Sequence, residues 1–160
     1  MPGLIPDAAF YDHLAHRRFP VTVQISTRGE IDYLVEPDLF HDFFGHVPLL
    51  ANQMFPDYMQ FHGQRGSEAG DNVSLPTRLC WYTVEFGLIR TVKGIKVYGA
   101  GILSSATEVK HAIENTDVER LPFEAMKVTR RPHEIDRLQN NYFVLNDSCQ
   151  QFEAAQTRLT

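Results

Sequence analysis

The sequence predicts a single, mainly α-helical domain with a few short β-strands. Three observations carry this reading. The chain has 160 residues and 43% apolar content, which suits one globular unit with one sizeable core. Apolar residues recur at helical spacing through most of it, whereas period-two alternation is confined to short runs. Internal repeats, low-complexity tracts and obvious linkers are missing, so nothing divides the chain.

A helix is expected over 8–18, where Phe10, Tyr11 and Leu14 fall near one face, and then a half-buried strand over 19–25, where Val21, Val23 and Ile25 alternate. Pro37 suits the first turn of a second helix, with Asp38 and Asp42 near its positive end. Leu39, Phe40, Phe43 and Phe44 form its buried face, and Gly45 and Pro48 should end or distort it. Met54, Phe55, Tyr58, Met59 and Phe61 mark a helix over 52–63, followed by a polar, glycine-bearing stretch, 63–72, expected to be a mobile loop.

The run 75–91 is apolar nearly all round and reads as the longest helix, central and buried. A short strand over 95–98, a turn at Gly99-Ala100-Gly101 and a helix to about Asn115, capped by Ser104 or Ser105, should follow. The region 120–137 reads as irregular with a helical turn, 141–145 as a strand, and 148–159 as a final amphipathic helix.

The formal charge of −5, from 15 basic and 20 acidic residues without any Lys/Arg run, gives no footprint for nucleic acid. Cys80 and Cys149 share no metal-type spacing, and Cys80 falls in a predicted buried helix, so free thiols and a cytoplasmic location are expected. The N-terminus lacks a signal-peptide pattern, and no stretch approaches the ~20 apolar residues of a membrane span.

Chemistry concentrates in two segments. His41 and His46 stand five apart in Glu36-Pro37-Asp38-Leu39-Phe40-His41-Asp42-Phe43-Phe44-Gly45-His46, and Glu85 lies in Trp81-Tyr82-Thr83-Val84-Glu85-Phe86-Gly87-Leu88. Two imidazoles and one carboxylate are the donor set of an open non-haem iron site. On an ideal helix residues five apart are rotated by about 140°, so the pair needs a distorted helix, for which Gly45 and Pro48 provide. The spacing argues against a zinc-protease motif, whose histidines stand four apart and whose glutamate is Asp42 here.

Glu85, flanked by apolar residues, needs a cation; besides a metal, Arg78, Arg90 or a solvent gap on the helix would serve. Taken alone, the two histidines are equally compatible with ordinary hydrogen-bonded residues. His13, His16, His62, His111 and His133 lie in polar surroundings and are expected at the surface, with Asp57 and Glu68 as solvated charges.

Glu-Pro-Asp-Leu-Phe-His-Asp-Phe-Phe-Gly-His-Val-Pro (36–48), Trp-Tyr-Thr-Val-Glu-Phe-Gly-Leu (81–88) and Tyr-Gly-Ala-Gly-Ile-Leu-Ser-Ser (98–105) together resemble the pterin-dependent aromatic amino acid hydroxylases. Arg18-Phe19-Pro20-Val21-Thr22 and the His-Asp-Phe-Phe-Gly-His form resemble the bacterial phenylalanine 4-hydroxylase branch. The likeness runs from Gly3 to about Phe152 and is weakest between Glu119 and Leu138.

What the resemblance implies is a catalytic domain of that type over 1–160, lacking its N-terminal part. It implies a monooxygenase that hydroxylates an aromatic amino acid with O₂, iron(II) and a tetrahydropterin (tetrahydrobiopterin or a bacterial analogue), L-phenylalanine to L-tyrosine being the expected reaction. His41, His46 and Glu85 would hold the iron as the catalytic centre. Gly3, Leu4, Ile5, Asp7 and Phe10 would contact the pterin, Phe10 by stacking, and Asp42 would reach it through water. Trp81, Phe86, Gly101 and Ser104 would line the amino acid pocket, Ser104 also supporting the His41 ring.

Ser26 stands where the family has the arginine that clamps the substrate carboxylate, which makes Arg28 the nearest candidate, and Cys80 replaces a family tyrosine. Because the likeness starts at the pterin loop, apolar faces at 38–46 and 75–91 are expected to be exposed and to favour self-association. The alternative is a catalytically impaired relative or fragment that keeps the iron site as a binding or structural element; a mononuclear zinc hydrolase is a third reading.

Overall fold

The structure, a computed structural model, describes residues 5–30, 37–69, 74–134, 137–147 and 150. Gly3, Leu4, Cys149 and the helix expected over 148–159 lie outside this set, Gln150 excepted. Helix α1 (Asp7–Ala15) packs against α3 (Met54–Ala69). The mobile loop expected from Gly63 onward is instead helix to Ala69. Its glycines are packing residues: a Cβ on Gly63 would stand 2.2 Å from the Ala15 backbone nitrogen, and one on Gly66 2.2 Å from the Tyr11 ring. Glycine there lets two helices approach closely.

Between α1 and α3, residues 19–27 belong to no helix and enter no ladder among the described residues, so the strand expected over 19–25 does not form. Val21, Val23 and Ile25 are 52, 82 and 61% exposed. The backbone is tethered to the next helical segment instead. Thr22 N–H donates to Asp42 Oδ2 (2.8 Å), Ser26 N–H to Asp38 Oδ2 (3.0 Å) and Leu39 N–H to the Gln24 carbonyl (2.8 Å). Alternation alone does not make a strand where no partner strand is at hand.

His41–His46 forms a π turn, and the helix runs on as α2 (Val47–Leu50), so Gly45 and Pro48 distort it without ending it. Phe40, Phe43 and Phe44, read as a buried face, are 55–58% exposed among the described residues. After α4 (Ser74–Cys80) comes a second π turn, Trp81–Glu85. The long helix expected to Thr91 stops there, because Gly87–Thr91 is strand β1. A Cβ on Gly87 would meet the Tyr98 ring at 2.2 Å, and the apolar run beyond it pairs on both sides. Short apolar runs suit a buried strand as well as a helix, and pairing decides.

Strand β2 (Gly94–Val97) returns antiparallel to β1. The expected turn at 99–101 is the start of α5 (Ala100–Leu103), and α6 (Ala106–Glu114) is capped by Ser105, whose hydroxyl accepts the Glu108 amide at 3.1 Å. The irregular region holds strand β3 (Glu119–Pro122) and the one-turn helix α7 (Ala125–Val128). Strand β4 (Asn141–Leu145) pairs parallel with both β1 and β3, giving the order β2-β1-β4-β3.

All five β4 residues are buried. Tyr142 and Val144 pack with Leu88, Ile102 and Ala112 on one side, and Phe143 with Leu79, Tyr82 and Val128 on the other. A third cluster, Tyr11, Leu14, Phe55, Tyr58, Met59, Cys80 and Val84, fills the helical side. His62, expected at the surface, is 2% exposed between the Tyr11 and Tyr58 rings. Among the described residues no helix is long and apolar enough to cross a membrane.

Candidate metal centre

Each of the two π turns supplies one part of the site. A π turn bonds residue i to i+5, as in Phe86 N–H to the Trp81 carbonyl (2.8 Å) and Val47 N–H to that of Asp42. Residues five apart then stand one above the other, which answers the problem of a five-residue spacing on a regular helix. His41 Nε2 and His46 Nε2 lie 3.1 Å apart. Glu85, the last residue of the second π turn, aims Oε2 at His41 Nε2 (3.4 Å) and Oε1 at His46 Nε2 (3.2 Å). Arg78 is engaged elsewhere, donating to the Thr129 carbonyl at 2.8 Å.

These separations fit one ion: donors bound at about 2.1 Å and at right angles stand about 3 Å from one another. Asp42 also has a donor atom within 4.8 Å of those of both histidines. Its Oδ2 already accepts the Thr22 amide, whereas each Glu85 oxygen faces an imidazole, so Glu85 is the better third donor.

The surrounding bonds fix protonation and orientation. Ser104 Oγ–H has the Ala100 and Gly101 carbonyls as acceptors (3.0 and 3.2 Å), which leaves its oxygen to receive His41 Nδ1–H at 2.9 Å. That tautomer frees the Nε2 lone pair. Asp38 Oδ1 accepts the His41 amide at 2.9 Å, an N-cap contact that holds the start of the turn. Phe19 leans on the His46 ring, centroids 4.6 Å apart. The chain packs tightly here: a Cβ on Gly99 would stand 2.3 Å from the Glu85 carbonyl oxygen, and one on Gly45 2.7 Å from Ala100 Cβ.

Burial alone would raise the Glu85 carboxyl, but the charge and hydrogen bond of His46, the charge of His41 and the Gly101 N–H outweigh it and hold it down to about 2. Burial lowers His41 against the pull of Glu85, while in His46 the Glu85 carboxylate overcomes burial and raises it. The cluster sets an ionised carboxylate against two imidazoles, a donor set that suits a cation.

Trp81 and Phe86 stack at 4.9 Å and 26° beside Glu85, and the Phe86 ring lies 3.0 Å from where a Gly101 Cβ would be. Phe86, Gly101 and Ser104 thus border the His41–His46–Glu85 cluster, and Trp81 stacks on Phe86. Ile5 and Phe10 are half-buried, Phe10 packing with Phe19 on the helical core cluster, and Asp7 is exposed at the start of α1. Arg28 is exposed in the one-turn 3₁₀ helix Arg28–Glu30, and nothing among the described residues ties it to the cluster.

The model of the biopterin-dependent aromatic amino acid hydroxylase family matches residues 1–160. The chain belongs to this family. Among its relatives, phenylalanine-4-hydroxylase of Mesorhizobium japonicum is 51% identical over 151 residues, covering 91% of this chain and 54% of that protein. A solved structure of Chromobacterium violaceum phenylalanine hydroxylase with bound iron(III) and oxidised 7,8-dihydrobiopterin superposes with a TM-score of 0.91 at 46% identity, over 97% of this chain and 57% of that one. The iron- and phenylalanine-bound structure of the same enzyme gives 0.90 at 44% identity, over 98% and 57%. This hydroxylase-family chain spans about half the length of the curated relatives it matches.

Sequence reasoning missed Phe19, the capping role of Asp38, and His133 and Gln139, which contact the Trp81 indole. Asp38 had a signal, since it precedes His41 by the three residues of an N-cap contact. Phe19, His133 and Gln139 had none, because only the fold brings them to His46 and Trp81.

Proposed function

We propose that the chain is an iron(II)- and tetrahydropterin-dependent monooxygenase that hydroxylates an aromatic amino acid with O₂, L-phenylalanine to L-tyrosine. The observation that carries this is the convergence of two imidazole Nε2 atoms and one ionised carboxylate within 3.1–3.4 Å. The phenylalanine-4-hydroxylase names of the relatives, and the iron, dihydrobiopterin and phenylalanine bound by the Chromobacterium enzyme, support it.

His41 and His46 would hold the iron through Nε2, and Glu85 would offset one of its two positive charges. When bound, iron(II) with the two electrons of the pterin would split O₂ so that one oxygen atom enters the ring and the other is reduced. Ser104 keeps His41 Nδ1 protonated, and Gly101 N–H steadies Glu85. Trp81 and Phe86 offer the aromatic substrate a flat wall, and burial of the histidines limits water at the centre. On the pterin side the assignments are Gly3, Leu4, Ile5, Asp7 and Phe10, with Asp42 reaching through water; Arg28 is assigned the substrate carboxylate. The buried free thiol of Cys80 supports a reducing, cytoplasmic compartment.

Anaerobic iron(II) loading followed by tetrahydropterin, O₂ and a panel of phenylalanine, tyrosine and tryptophan tests the reading. Tyrosine formed from phenylalanine, and lost in His41→Ala and His46→Ala together with iron binding, is expected. Full iron affinity in either variant overturns the ligand assignment, and an iron-loaded chain that forms no product favours a catalytically impaired relative. The exposed Phe40, Phe43 and Phe44 supply a self-association surface within the same proposal. Sedimentation should show concentration-dependent association that Phe43→Ser weakens; unchanged association removes the patch as its cause.

A further inference from the structure

Trp81 opens the π turn that ends in Glu85, and its indole lies between two rings: Phe86 at 4.9 Å and His133 at 4.7 Å. Stacking leaves the indole free to slide and rotate in its plane; a directional bond removes that freedom. The bond is Trp81 Nε1–H to Gln139 Oε1, 3.3 Å.

Gln139 is 1% exposed, and the groups around it determine which way its amide faces. Its Nε2 donates to the Glu134 carbonyl (2.6 Å) and the Arg137 carbonyl (3.5 Å), while Oε1 also accepts the Glu134 amide (3.3 Å). A flipped amide would set an N–H against two N–H donors, so only one orientation satisfies the site, and it presents an acceptor to Trp81. The backbone of Gln139 is anchored as well. Its N–H donates to Glu108 Oε1 (3.3 Å), and its carbonyl accepts His111 Nε2 (2.9 Å). Glu108 in turn receives the Tyr142 hydroxyl. Gln139 therefore joins a buried polar network on α6 and β4 to the indole that stacks on Phe86, the residue after Glu85.

We propose that Gln139 is a positioning residue for substrate: by fixing the Trp81 indole it sets the aromatic wall against which the amino acid ring is placed. The proposal rests on the reading of Trp81 as part of the amino acid pocket. Gln139 touches none of the His41–His46–Glu85 donors, so its effect should fall on aromatic substrate and spare the metal.

Trp81 is the single tryptophan of the chain, so intrinsic emission reports this indole alone. Gln139→Leu, with Gln139→Met as a second apolar variant, should shift the emission to shorter wavelength. It should also raise KM for phenylalanine by about 10-fold, roughly the value of one buried hydrogen bond, with iron(II) affinity within about two-fold of the parent. In a Trp81→Phe background Gln139→Leu should add nothing to KM.

Emission unchanged in both apolar variants overturns the proposal, as does an equal KM increase with and without the indole. If the parent chain forms no tyrosine, the functional reading fails. The emission comparison and phenylalanine-induced changes in Trp81 emission then still decide whether Gln139 holds the indole for an aromatic ligand.

Discussion

Glu85 and Glu108 are both drawn inside the fold, and their partners drive them in opposite directions. Glu85 faces two imidazoles and is held down to about 2, whereas Glu108 is raised by burial, which the Tyr142 hydroxyl and the Gln139 amide offset only in part. Neutral donors close a network; basic groups that can also bind a metal leave a carboxylate charged and available. Buried charge marks function only when its partners could trade it for a cation.

The largest expected contrast comes from removing each carboxylate. Glu85→Gln should weaken iron(II) binding by about 1,000-fold, equivalent to about 4 kcal/mol, and should also lower stability at neutral pH, because the histidines hold the ionised carboxylate below its ordinary value; iron titration beside urea melts measures both. Glu108→Ala should separate the two. It strands the Tyr142 hydroxyl and the Gln139 N–H, so stability should drop by about 3 kcal/mol while iron affinity holds. Equal iron loss in the two variants would erase the distinction.

A smaller effect sharpens it on the histidine side. His46 has Glu85 and is raised, but His62, buried between tyrosine rings, has no carboxylate among the causes of its shift and is pushed by burial down to about 4 from 6.5. Its hydrogen bond to the Pro76 carbonyl only partly resists. In this group the unfolded chain takes up a proton before the folded one does. The stability it contributes is complete above about pH 6.5 and is lost as pH falls towards 4, about 2 to 3 kcal/mol by pH 4.5. His62→Phe should flatten that part of the stability–pH curve measured by urea melts, and an unaltered slope would assign acid sensitivity to other groups.

The sequence was most readable where local pattern and tertiary environment agreed. Tyr11 and Leu14 on α1, the Ser105 cap and the apolar β4 were legible because spacing, capping chemistry and burial point the same way. The histidine pair and Glu85 were visible as a donor set, but not the means of aligning them, since nothing in the spacing names a π turn. Gly63 and Gly66 read as loop signals because a glycine that admits a neighbouring helix looks the same in sequence as one that ends a helix. Gly87–Thr91 read as helix because its strand partners, 94–97 and 143–145, lie elsewhere in the chain. Gln139 was invisible for the same reason: its five partner residues span 81 to 137.

The π turn at His41–His46 also bears on insertions and deletions. If one residue between the histidines were deleted and the turn relaxed to an ordinary α-helix, the pair would stand four apart, about 40° from eclipsed, and still share a face. Everything after His46 would instead swing by about 100° and shift by about 1.5 Å, carrying Pro48 to Leu50 out of register with α3. The length of this segment is therefore constrained less by the metal than by the packing of α2 and α3: the extra residue is a spacer that keeps the downstream helix in phase.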